Sequence, residues 1–201
     1  METKDKIRKH AMRLFAMKGY RETSVNIIVG TAGITKGGFY YFYKSKEELF
    51  NDCVETYFFS FMDDMFKPLD DPEIETRDKL YLIKELFTAG SRELAEKFAE
   101  TKISFRFYYT MLFEGLKNND HVKKRAADSY RLASQKISSV LQKAADEEII
   151  RKDTDIKTVS WELIISVEGA MLIYMLDETL PVWELIDAIV NRIFKTIIIE
   201  K

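Results

Sequence analysis

The chain has 201 residues, 46% of them hydrophobic, which is enough to bury a sizeable core in one domain or two small ones. A single cysteine, Cys53, excludes an internal disulfide and a cysteine zinc cluster. The two histidines, His10 and His121, lie over a hundred residues apart and are poor material for a metal site or a catalytic triad. No run of about eighteen apolar residues exists, which rules out a membrane-spanning helix. The charged start METKDKIRKH is not a secretory signal, so a cytoplasmic protein is expected.

The net charge of −2 conceals an asymmetry. Residues 1–46 hold ten Lys or Arg and three acids, giving +7, and the remainder sums to −9. A basic end on an acidic body points to a polyanion partner for that end alone. Five of the eight glycines fall in the first 38 residues, where short elements and tight turns are expected.

In chain order, Ile7, Ala11, Leu14 and Phe15 form the apolar face of a helix from about Lys4 to Lys18, stopped by Gly19. A short helix spans about Val25 to Thr31, with Val25, Ile28 and Val29 inward. Gly33 is the residue for a positive φ in the following turn. Thr35 caps a second short helix through about Phe42, and Ser45-Lys46-Glu47-Glu48 is a capping box that opens a long one. Leu49, Cys53, Tyr57, Phe61 and Met65 recur every fourth residue along it, so Cys53 reads as a small buried hydrophobe. Pro68 and Pro72 break that helix. Further helices are expected near 74–89, 92–100, 102–117, 121–149, 155–177 and from Pro181 to about 199. In the 121–149 helix, positions 126, 130, 133, 137, 140 and 144 form a 4-3-4-3-4 seam. Nine or ten helices and no strand make the chain all-α.

Two short helices joined by a glycine turn, behind a packing helix, form a helix-turn-helix pattern. In Thr35-Lys36-Gly37-Gly38-Phe39-Tyr40-Tyr41-Phe42, Phe39 and Phe42 can anchor inward while Lys36, Tyr40 and Tyr41 point outward. Gly37 and Gly38 each cost roughly 1 kcal/mol of helix stability relative to Ala, yet allow backbone and bases to come close. Lys44 and Lys46 flank the next helix N-terminus, whose N–H groups favour phosphate.

Residues 23–49, with Leu14-Phe15-Ala16-Met17-Lys18-Gly19-Tyr20 before them, resemble the N-terminal signature of tetracycline-repressor (TetR) family regulators. The resemblance covers about residues 5–50. It implies a three-helix head, residues 1–47, and a larger helical ligand-binding and dimerisation domain, residues 48–201. It further implies a homodimer whose recognition helices enter successive major grooves of an inverted-repeat operator, with a small effector setting their spacing, most often to relieve repression. By position, Thr23, Thr35, Lys36, Gly37, Gly38, Tyr40, Tyr41, Lys44 and Lys46 would form the DNA-binding surface, mostly at phosphates. Four positions depart from the pattern. Ile27 and Val29 replace an acid and an alanine; Gly38 replaces a small residue that often faces a base; Tyr43 replaces phenylalanine, where its hydroxyl could reach the DNA backbone.

Two aromatic clusters, over 57–66 and 105–113, read as core or as the lining of a mainly apolar effector pocket. Its candidate residues are Phe61, Met62, Met65, Phe66, Phe105, Tyr108, Tyr109, Leu112, Tyr130, Ser134 and Trp161. The helix starting at Ser45 would act as the lever between pocket and head. The last two helices are so apolar that a second copy is expected to cover one side, through Trp161, Ile165, Gly169, Ala170, Ile173, Ile186, Ile189, Val190 and Ile193. Competing readings are a helical dimeric interaction module without DNA function and a helical enzyme; the latter lacks a nucleophile beside a base. Neither a metal nor a cofactor is expected.

Overall fold

The computed structural model describes residues 3–89, 92 and 105–199. The helix expected at 92–100 lies outside that set, as do the side chains of Phe61, Phe105, Arg106, Phe107, Tyr108 and Asn118. Among the described residues there are nine helices and one isolated bridge between Ile150 and Ile198. They are α1 (Thr3–Glu22), α2 (Val25–Ala32), α3 (Lys36–Phe42), the composite α4, α5 (Thr76–Phe87), α6 (Phe105–Asn118), α7 (Asp120–Asp146), α8 (Ile156–Leu176) and α9 (Val182–Ile197). The all-α expectation holds.

The chain divides into two compact units. The first comprises Met1–Met62 and Phe98–Ala127, the second Asp63–Lys97 and Asp128–Lys201. The first unit is therefore larger than a head of residues 1–47, because α6 packs against α1. At this junction the Glu114 carboxylate accepts the Tyr20 N–H at 2.7 Å. A Cβ on Gly115 would stand 2.9 Å from Val122 and 3.3 Å from the Phe50 ring, so the closeness of this packing depends on glycine.

Within the first unit, α1 runs past the expected stop to Glu22, but Gly19 breaks its path with φ 82° and ψ 164°. Phe15, Tyr20 and Phe50 form a ring cluster with centroids 4.9–5.7 Å apart. The long α4 is not uniform: Lys46–Val54 is α-helical, Glu55–Phe59 is a π-turn, and Ser60–Met65 is α-helical again. The π-turn inserts an extra residue and rotates the buried face. The four-residue stripe holds at Leu49 and Cys53 and then shifts, leaving Tyr57 half-buried while Phe58 and Phe59 are buried. Arg125 brackets this turn. Its guanidinium donates to Glu55 at 3.0–3.2 Å and sits 4.9 Å from the Phe59 ring centroid.

Of the α7 seam in the second unit, Ala133, Ile137, Val140 and Ala144 are buried and Tyr130 is half-buried. α9 turns Val182, Ile186, Val190, Ile193, Phe194 and Ile197 into the unit, where it packs on α8 and α5. α8 corrects one expectation. Although Glu162 and Glu168 interrupt its apolar run, it is long and apolar enough to cross a membrane by length and composition, and only 28% of its most apolar window is buried.

Candidate nucleic-acid interface

The helix-turn-helix is built by local capping. Ser24 accepts the Ile27 N–H at 3.3 Å to start α2, and Gly33 ends it in the left-handed region at φ 62°. Thr35 has extended backbone and its Oγ1 accepts the Gly38 N–H at 3.0 Å, which starts α3. Ser45 Oγ accepts the Glu48 N–H at 3.1 Å to start α4. The return bond from Glu48 goes to the Lys44 N–H at 2.7 Å, one residue earlier than the usual capping box.

α3 is a seven-residue helix with one buried side chain, Phe39. The residue after it, Tyr43, is also buried. Phe42, expected inward, is only half-buried. On the opposite side Tyr40 is 55% and Tyr41 82% exposed, next to exposed Lys36 and Lys44. α3 carries no acid. One cation, two phenols and a thin glycine backbone are thus exposed on a helix held from behind, with Lys44 just beyond its end, which suits phosphate oxygens and base edges.

Three residues read as DNA-facing are turned to other work. Thr23 is fully buried, and its hydroxyl is shared between the Leu14 and Gly19 carbonyls at 3.2 and 2.8 Å, tying down the end of α1. Lys46 donates to the Tyr20 carbonyl at 2.8 Å with Nζ 4.1 Å above that ring. Burial pulls its pKa below the usual lysine value against the opposing charges of Glu114 and Glu22. Tyr43 does not present its hydroxyl to the outer face: the hydroxyl donates to Asp52 at 2.5 Å. Spacing signalled the last of these, since Tyr43 lies four residues after Phe39 on the inward face. Nothing local signals that Glu114, 94 residues away, holds Tyr20.

Cys53 is buried and its thiol is pushed up by burial, so it is no nucleophile. No cluster of metal-ligating side chains occurs among the described residues.

The residues read as pocket-lining scatter. In the first unit Tyr109 and Leu112 are buried and Met62 is half-buried. In the second, Phe66 is buried and Met65 half-buried. Tyr130 donates to Glu168, and burial followed by that carboxylate pushes its pKa up. Ser134 and Trp161 line a groove of about 500 Å³ with Arg131, Gln135, Ser138, Ser139, Gln142, Ile156 and Lys157. Its wall is the wet face of α7, with Ile156 and Trp161 beside it.

The residues read as a dimer seam divide. Ile165 and Ile173 are 63% and 49% exposed, and Trp161, Gly169, Ala170 and Ile189 are half-buried. Ile186, Val190 and Ile193 are instead buried in the second unit's own core, since α9 spends that face on its own chain. Leu172, Leu176 and Leu185, 46%, 82% and 52% exposed, were not singled out from the sequence.

Residues 7–53, which contain these caps and the exposed α3 face, match the family described as bacterial regulatory proteins, tetR family. In that N-terminal segment the chain is similar to TetR-family regulators. A curated relative of this chain is the negative transcriptional regulator IcaR of the Staphylococcus epidermidis biofilm operon icaADBC. The two are 40% identical over 91 residues, 44% of this chain and 48% of IcaR. The chain spans about half or less of the length of the curated relatives it first matches. Among solved structures, the SmeT–triclosan complex superposes with a TM-score of 0.80 at 19% identity, covering 98% of this chain and 92% of that one; SmeT represses the Stenotrophomonas maltophilia multidrug efflux pump SmeDEF. A candidate fatty acid metabolism regulator of Clostridium perfringens gives a TM-score of 0.67 at 25% identity, with 97% and 100% covered. The curated relatives are transcriptional regulators, not enzymes.

Proposed function

We propose that this chain is a cytoplasmic DNA-binding repressor that grips an inverted-repeat operator as a homodimer and is released by a small, mainly apolar effector. The observation that carries the reading is the outward face of α3. Tyr40, Tyr41, Lys36 and Lys44 stand exposed together while Phe39 and Tyr43 hold the helix from behind. Thr35, Gly37 and Gly38 let the backbone approach phosphates. Lys46 contributes through its position at the N-terminus of α4 and leaves Tyr20 only if phosphate competes for its Nζ.

The dimer reading rests on the exposed apolar side chains of Ile165, Leu172, Ile173 and Leu176 on α8 and Leu185 on α9. A Cβ on Gly169 would meet nothing within 4 Å in its own chain, which leaves room for a second backbone. The effector reading draws on the aromatic residues outside the head and on the likeness to SmeT, crystallised with triclosan.

Binding should fall steeply with salt because phosphate contacts release counterions. The Lys36→Ala/Tyr40→Ala double variant should keep its helical content and lose operator binding. A double variant that binds as tightly as the wild type removes α3 as the recognition helix and leaves the dimeric interaction module as the better reading.

A further inference from the structure

One carboxylate oxygen behind the recognition helix gathers three segments of the first unit. Asp52 Oδ2, on α4, accepts the Tyr43 hydroxyl at 2.5 Å and Arg8 Nε of α1 at 3.0 Å, with Lys4 Nζ at 3.9 Å. Lys4 also lies 5.5 Å from the Tyr43 ring centroid, and Arg8 NH1 reaches Asp5 at 3.2 Å. Tyr43 is the residue on which α3 ends: its N–H closes the last turn onto the Phe39 carbonyl at 3.0 Å, and it is 2% exposed. Burial and then Asp52 raise the phenol's pKa, so Tyr43 remains a hydrogen-bond donor across the working pH range. For Arg8, burial disfavours the charge, but the hydrogen bond and charge of Asp52 outweigh it and hold the guanidinium above its usual value.

α3 needs such a fixture. It has seven residues, two of them glycine, and a single buried side chain. Beyond Phe39, its C-terminal end is fixed at Tyr43, by the buried ring and by the hydroxyl's bond to Asp52. That bond ties this end to α4. The residue that supplies the tie is also the one at which this chain departs from the phenylalanine of the pattern it resembles.

We infer that Asp52 is a positioning residue for DNA readout, holding the C-terminal end of α3 through the Tyr43 hydroxyl while Arg8 holds Asp52. This rests on the DNA-binding reading above. The latch orients the outward face, so it serves discrimination between operator and other duplexes more than attraction to phosphate, which is a matter of charge.

The test compares wild type, Tyr43→Phe, Asp52→Ala and the double variant. Tyr43→Phe keeps the ring and its packing and removes only the donor. It should weaken operator binding about tenfold, corresponding to about 1.4 kcal/mol. Binding to an unrelated duplex should stay within about twofold, because no charge is lost. The double variant should bind the operator no more weakly than Asp52→Ala alone, since the two residues act through one bond. Without DNA, Tyr43→Phe should speed amide exchange over residues 36–43 and leave α7 unchanged. Wild-type operator affinity in Tyr43→Phe, equal losses on both duplexes, or unchanged exchange over 36–43 each overturns the latch. If the wild type binds no duplex, the DNA reading itself fails, and the exchange measurement still decides whether the latch holds α3.

Discussion

Replacing Phe39 by Ala should loosen the head, while replacing Tyr41 by Ala, two positions away on the same short helix, should not. Phe39 is fully buried and its ring contacts those of Tyr40 and Tyr43 at 5.2 and 5.9 Å between centroids. Removing a buried phenylalanine ring costs about 3–5 kcal/mol. Two glycines in α3 leave little helix propensity to absorb the loss. Tyr41 is 82% exposed, and a surface change of that kind stays within about 0.5 kcal/mol. The assay is amide hydrogen exchange over residues 25–43, which reads local opening without assuming that both units unfold together. At about 1.4 kcal/mol per decade, Phe39→Ala should accelerate exchange there by roughly 10²–10³-fold, and Tyr41→Ala by about twofold or less. An acceleration below about tenfold for Phe39→Ala, or equal effects of the two substitutions, would refute the assignment of inward and outward faces.

Other consequences can be checked in the same preparations. Gly33→Ala forces a side chain into the left-handed region at φ 62° and should cost about 1–2 kcal/mol in urea denaturation, with an unchanged midpoint counting against the turn. Asp155 caps α8 by accepting the Thr158 N–H and hydroxyl, at 3.1 and 2.7 Å, and the hydroxyl's bond, then the N–H's, hold its carboxyl below the usual range. Its contribution is therefore present above the ordinary aspartate pKa and is lost as pH falls through the lower folded value. Asp155→Asn should flatten that acid-side loss in a series of urea midpoints from pH 7 to 3. Ile173→Glu/Leu176→Glu puts charge on the exposed apolar strip of α8 and should give a monomer in light scattering at micromolar concentration; a persistent dimer would place the interface elsewhere.

Most of the secondary structure was legible because local chemistry writes it. Thr35, Ser45 and Gly33 each act through bonds within a few residues, and each appears where its spacing indicated. The α7 seam is likewise a matter of period. The π-turn at Glu55–Phe59 was not legible, for the apolar residues there suit either phase and Arg125, 70 positions on, brackets the turn at Glu55 and Phe59. At the interface, outwardness was readable for Lys36, Tyr40 and Tyr41, since adjacent helical positions cannot all face a core. Thr23, Tyr43 and Lys46 were misplaced for one common reason. Each carries a polar tip that finds a backbone carbonyl or carboxylate inside the unit, from four to 26 residues away along the chain, and a polar tip alone reads as solvent-facing. Ile186, Val190 and Ile193, read as seam residues, are buried in their own unit because α9 is apolar on the side that its own chain uses.

Whether α3 reads duplex DNA in a two-fold symmetric complex is decided by selection from a random pool of duplexes with the 201-residue chain. The account predicts enrichment of an inverted repeat whose half-sites lie one helical turn, about 10–10.5 base pairs, or a multiple of it apart. The Lys36→Ala/Tyr40→Ala double variant should enrich nothing. No enrichment by the wild type at low salt, or enrichment of a single asymmetric site bound by one chain, would contradict it.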